Sequence, residues 1–123
     1  MPVKTVQLKP SDLNKLRRIA LSRQGLTTRA PFGAGENATS KAIEHLGYVQ
    51  IDTISVVERA HHHVLHSRVP GYQPRHLERL LAKRRVFEYW AHAAAYLPMS
   101  AYRYTLPYKH CLLYTSPSPR DPE

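Results

Sequence analysis

Two polar side chains set two residues apart in an apolar segment give the first chemical suggestion. The stretch Tyr48-Val49-Gln50-Ile51-Asp52-Thr53 alternates around Val49 and Ile51, which is the period of a half-buried strand. On such a strand Gln50 and Asp52 share one side, while Val49 and Ile51 face the core. A carboxylate beside a carboxamide can hold one water between them. The aspartate accepts its proton and the glutamine fixes its orientation, which is a hydrolytic arrangement. An ordinary role is open to the same residues: Asp52 as the cap of a following helix, and Gln50 as a surface strand residue.

Four histidines follow closely, at His61, His62, His63 and His66. His62 and His66 are one helical turn apart and face the same way. Three adjacent histidines on a helix nevertheless point in three directions. With no HExxH pattern and no cysteine beside them, zinc would lack its further ligands. No metal and no cofactor is expected. Neutral histidines packing on the side that meets a polyanion, or charging near phosphate, are the simpler account.

Cations form the third group. Arg75, Arg79 and Lys83 recur at intervals of four, so they form a row on one helical face, and Arg84 and Arg85 extend the charge. One reading is a solvated surface with cations placed well against a helix C-terminus. The other is contact with DNA, directed to phosphates because nothing here selects a base edge.

Several elements must position these groups. Ser11 is suited to N-cap a first helix with Leu13, Leu16, Ile19 and Ala20 at helical spacing, and Gly25 closes it. Thr27 to Asn37, with Pro31, Gly33 and Gly35, reads as a loop. Thr39 or Ser40 then opens a helix that Gly47 stops, and the Tyr48–Thr53 strand follows. Ser55 caps the next helix, whose apolar stripe is Val56, Val57, Ala60, Val64 and Leu65. Pro70 and Gly71 turn the chain, and Pro74 begins a helix with Leu77, Leu80 and Leu81 inward. Val86 to Trp90 and Ala93 to Leu97 read as a hairpin ended by Pro98, with Phe87, Tyr89, Trp90 and Tyr96 mostly as core or cross-strand pairs. From Thr39 onward the order helix, strand, helix, helix, strand, strand predicts a mainly α fold with a small β-sheet, a winged helix-turn-helix.

Composition agrees. The 123 residues carry 18 Lys+Arg against 9 Asp+Glu, a formal net charge of +9, so a polyanion is the first partner to consider. Apolar residues are 42% of the chain, enough for one small core. No apolar run has the length of a membrane span, and the first residues lack the apolar stretch of a secretory signal. A cytoplasmic, nucleoid-associated monomer is the expectation.

The stretch LGYVQIDTISVVERAHHHVLHSRVPGY, followed by FEYWAHAAAYLP, closely resembles the YcaQ-type members of the AlkZ-like winged-helix DNA glycosylases. The likeness covers roughly residues 10–108 and is densest between Leu46 and Tyr104. In that family a glutamine, an aliphatic residue and an acidic residue or glutamine form the catalytic motif, which Gln50-Ile51-Asp52 matches in its glutamine–aspartate version. The resemblance implies a metal-free monofunctional glycosylase that excises N7-alkylated purines and unhooks DNA interstrand crosslinks. It also implies a longer protein with tandem winged-helix modules. A non-catalytic winged-helix DNA-binding protein or transcription regulator, with Asp52 as a mere helix cap, is the alternative.

Cys111 to Asp121 reads as the translation of a transposase adapter used in sequencing libraries. Residues 111–123, which show no helical or strand period, are therefore taken as a non-native tail. The expected organisation is an N-terminal helix and loop over 1–38, a winged-helix domain over 39–110 as the first module, and this tail.

Overall fold

In the computed structural model, residues 7–52 and 57–115 are described, with side chains up to Cys111. Among the described residues five α-helices and three strands follow in the order α1 (Pro10–Arg23), α2 (Gly35–Leu46), β1 (Val49–Gln50), α3 (Ala60–His66), α4 (Pro74–Ala82), β2 (Val86–Trp90), β3 (Ala94–Pro98) and α5 (Tyr102–Thr115). From α2 to β3 this is a winged helix-turn-helix. The antiparallel sheet has the order β1-β3-β2, so β1 is an edge strand paired with β3 through Val49↔Tyr96 and Gln50↔Ala95. Residues that meet directly across such a ladder share a face, which puts Val49 and Tyr96 toward the core.

That core draws on Ala38, Ala42 and Ile43 of α2, Val49 of β1, Leu65 of α3, Leu77 and Leu80 of α4, and Val86 and Tyr96 of the hairpin. Tyr72 and Val69, in the turn before α4, complete it. The second face of the hairpin meets α5, where the Phe87 and Tyr102 rings lie edge to face with centroids 5.2 Å apart. Lys109 Nζ sits 5.9 Å from the Tyr89 ring centre. The α5 helix had no counterpart among the expected elements. It runs across residue 110 to Thr115 with Pro107 inside it, so the aperiodic reading of the tail does not hold for residues 111–115.

Three element starts differ from expectation, each for a local reason. Helix α1 begins at Pro10 with Lys9 as its N-cap, not Ser11. Proline at N1 has no N–H to leave unpaired, and the Asp12 carboxylate accepts the Lys9 N–H at 3.0 Å. Helix α2 opens at Gly35, inside the expected loop, and not at Thr39 or Ser40. Both hydroxyls are instead used within the helix: Thr39 Oγ1 donates to the Gly35 carbonyl at 3.0 Å, and Ser40 Oγ donates to Glu44 at 3.4 Å. Helix α3 starts only at Ala60. Val57 therefore lies outside the expected stripe and is 87% exposed, while Ser55 and Val56 fall outside the described residues.

Strand β1 is also shorter than the Tyr48–Thr53 segment. Its partner limits it. After Gln50 one more bond forms, Ile51 N–H to the Ala94 carbonyl at 2.8 Å, and the ladder has then reached the first residue of β3. The Ala93 carbonyl is used by Ala91 N–H in the hairpin turn, and Thr53 lies outside the described residues. The hairpin matches expectation closely, though β3 begins at Ala94 and includes Pro98.

Helix α2 stops where expected, at Gly47, whose φ of 70° is left-handed and whose N–H donates to the Ile43 carbonyl at 2.8 Å. Beyond its own chain neighbours, no atom lies within 4 Å of where a Cβ would stand. Gly47→Ala thus meets no steric obstacle and carries only the backbone cost of an L-residue at positive φ, about 1–2 kcal/mol. Urea unfolding should show that loss as a lower midpoint with an unchanged slope.

Candidate active site

A cavity of about 390 Å³ opens where the edge strand β1 meets α3 and the end of α1, and its lining includes Gln50, Asp52, Tyr48, His61, Val64 and Arg68. Gln50 and Asp52, the pair singled out by their spacing, therefore open into one cavity. Gln50 is exposed at the end of β1, and Asp52 is half-buried just beyond the strand.

His61 lies beneath Asp52. The ring is 2% exposed, and its Nδ1 accepts the Asp52 backbone N–H at 3.3 Å. In the neutral ring the proton is then on Nε2. Tyr96 meets this imidazole edge to face at 5.5 Å, and His62 lies tilted against it at 4.2 Å. Burial holds the His61 pKa below the ordinary imidazole value, and nearby His62 and Arg59 act in the same direction against Glu58 and Asp52. Burial also lowers the pKa of His62, whose Nδ1 shares a 2.8 Å hydrogen bond with the Tyr72 hydroxyl. His63 and His66 are exposed. The run thus splits by helical phase, and His61 belongs to the core under the site rather than to an outer face.

Arg68 forms the far wall. Only 7% exposed, it donates from Nε to the Gln24 carbonyl at 2.7 Å and from Nη1 to the Val64 carbonyl at 2.8 Å. These are carbonyls at the C-terminal ends of α1 and α3, where a cation is favourably placed. A second bond secures the same end of α1, since His45 Nε2 donates to the Arg23 carbonyl at 2.6 Å. No residue of α1 is buried, and Leu13, Leu16 and Ile19 are all exposed. At the other end of the cavity Tyr48 stacks on His92 of the hairpin turn, ring centres 5.2 Å apart. Sequence reasoning gave no part to Arg68 or Tyr48, and weighed His61 only as a metal ligand or a histidine facing a polyanion. A basic residue just past a helix carries no signal until the fold brings two helix ends to it.

The cationic row lies elsewhere. Leu77 and Leu80 of α4 are buried, and Arg75 and Arg79 stand outward. Lys83 is the C-cap rather than a residue of the helix. Glu36, in the first turn of α2, pairs with Lys83 at 2.5 Å and with Arg79 at 3.9 Å, and its carboxyl pKa is held below the ordinary value chiefly by the Lys83 hydrogen bond. Arg85 approaches Glu44 at 3.9 Å. Among the described residues Arg75 and Arg84 have no acidic partner, and Arg84 adopts a positive φ of 54° as the chain enters the wing. At the wing tip Trp90 is 71% exposed, in contrast to the buried Tyr96.

Among the described residues no group of three His, Cys, Asp or Glu side chains converges as a metal site would require, and no helix is long and apolar enough to cross a membrane. Residues 43–110 match the sequence model of one protein family, described as DNA glycosylase AlkZ-like. No solved structure matches the chain. The matched segment contains β1, α3, α4 and the hairpin, and with them most of the cavity.

Proposed function

The chain belongs to the AlkZ-like DNA glycosylase family, and on that premise we propose that it hydrolyses the N-glycosidic bond of N7-alkylated purines in DNA and unhooks interstrand crosslinks made through such purines. The observation that carries this reading is the shared cavity of Gln50 and Asp52 at the open edge of β1.

The chemistry asks little of the protein as an acid. Alkylation at N7 puts a positive charge on guanine, so the base leaves as a neutral species when the bond from C1′ to N9 breaks and the bonding pair goes to the base. What remains is a sugar with oxocarbenium character. Asp52 supplies a negative charge to that developing cation and takes the proton of the water that attacks C1′, while Gln50 orients the water. Neither a metal nor a cofactor takes part. Arg75, Arg79, Lys83, Arg84 and Arg85 are proposed to contact phosphates, with Arg79, Lys83 and Arg85 exchanging Glu36 and Glu44 for DNA.

An edge site also suits the substrate. A glycosylase that flips its target base works against stacking and pairing, at a cost of a few kcal/mol. A crosslinked base is tied to the opposite strand and cannot swing out freely. A cavity open along the edge of a sheet admits such a base more readily than a closed pocket.

Duplex DNA carrying N7-methylguanine tests the proposal directly. Free 7-methylguanine, measured by chromatography, should appear faster with the protein than by spontaneous depurination. A salt-sensitive gel shift on unmodified duplex with no base release would instead favour the DNA-binding regulator.

A further inference from the structure

The imidazole of His61 occupies a position that an aliphatic side chain could fill at lower desolvation cost. It belongs to α3, one turn before Leu65, and is almost wholly removed from solvent. Burying a polar ring is unfavourable unless its polar atoms are used. Here Nδ1 is used on one group, the backbone N–H of Asp52 at 3.3 Å.

That N–H is the first after the β1 ladder ends. Ile51 N–H donates to the Ala94 carbonyl of β3, and along an antiparallel strand alternate N–H groups point away from the partner. The Asp52 N–H therefore faces away from β3, on the side where β1 has no neighbouring strand, and α3 provides its acceptor. The acceptor ring is itself fixed, edge-on to Tyr96 and tilted against His62. We propose that His61 is a positioning residue: its Nδ1 fixes the main chain at Asp52 and so sets how the Asp52 carboxylate meets the sugar. The inference rests on the reading of Asp52 given under Proposed function. It requires a neutral imidazole, because a protonated Nδ1 would oppose one donor with another. Burial, with His62 and Arg59 nearby, favours that form against the opposite pull of Glu58 and Asp52.

Two amide substitutions separate positioning from packing. Asn places its Oδ1 close to where Nδ1 stands, so His61→Asn keeps an acceptor for the Asp52 N–H. Gln places its amide nearer the Nε2 position, so His61→Gln loses that acceptor while filling more of the space. Base release from N7-methylguanine duplex should fall about 10²-fold in kcat for His61→Gln with KM little changed, the loss expected when a reacting group is displaced by about an ångström. His61→Asn should stay within a few-fold of the parent, although it leaves the larger void. Equal losses in the two variants, or no loss in either, would overturn the proposal.

Nitrogen-15 NMR of the unsubstituted protein gives a readout independent of activity and of variant folding. It should show His61 with its proton on Nε2 and an unprotonated Nδ1 coupled to the Asp52 amide. A proton on Nδ1 would overturn the proposal by itself. The two readings also fail separately. Absence of base release by the unsubstituted protein counts against the glycosylase reading, whereas release that ignores the Asn/Gln difference counts against His61.

Discussion

Asp52→Asn should lower base release from N7-methylguanine duplex by about 10²–10³-fold, the loss typical when a single electrostatic stabiliser of a transition state is removed. The substitution keeps the volume and the backbone N–H, so the bond to His61 Nδ1 survives and the fold is spared. What disappears is the negative charge, and with it both the attraction for the sugar cation and the acceptor for the water proton. Affinity for unmodified duplex should hardly change, because the cations proposed to contact phosphates lie on α4 and the start of the wing. A gel shift run beside the excision assay makes that comparison. Comparable excision by the variant and the parent would remove Asp52 from the mechanism.

Leu65→Ala should produce the largest loss of stability from a single truncation at the site's foundation, about 2–5 kcal/mol. Leu65 is fully buried in α3, a helix of 7 residues that is too short to hold itself together without packing. Removing its anchor leaves a void where α3 packs on α2 and β1 and loosens the helix that carries His61. For a domain with a total stability of about 5–15 kcal/mol, such a loss should lower Tm by roughly 10 °C or more. Thermal unfolding followed by circular dichroism reads it. A change under about 1 kcal/mol would contradict the anchoring role given to Leu65.

How much of this was legible before the fold varied with how local the cause is. Helix α4 was, because Pro74 presets its first turn and the leucines repeat at its period. So were the hairpin, rich in β-branched and aromatic residues, and the stop at Gly47. The β1 segment was only partly legible: its alternation marked Gln50 and Asp52, but its length depends on where β3 begins, and no pattern in residues 48–53 contains that. Thr39 and Ser40 misled because a hydroxyl that caps a helix and one that bonds back inside it look alike in sequence. His61 and Arg68 were least legible. Their roles consist in accepting from, or donating to, main-chain atoms of other segments, and backbone acceptors leave no trace in residue types.

The strand order β1-β3-β2 also governs when during folding the site can exist. The β2–β3 hairpin joins neighbours in the chain and closes a short loop. Val49 must instead find Tyr96 across α3, α4 and the first hairpin strand, a pairing that carries the larger loop-closure entropy. Contacts of such long sequence separation form slowly and late. A nascent or partly unfolded chain can thus hold α4 and the wing, with their cations, before β1 docks. On the proposed reading, such a species binds DNA by charge while lacking the cavity beside β1, so hydrolysis of the glycosidic bond awaits the last strand to join the sheet.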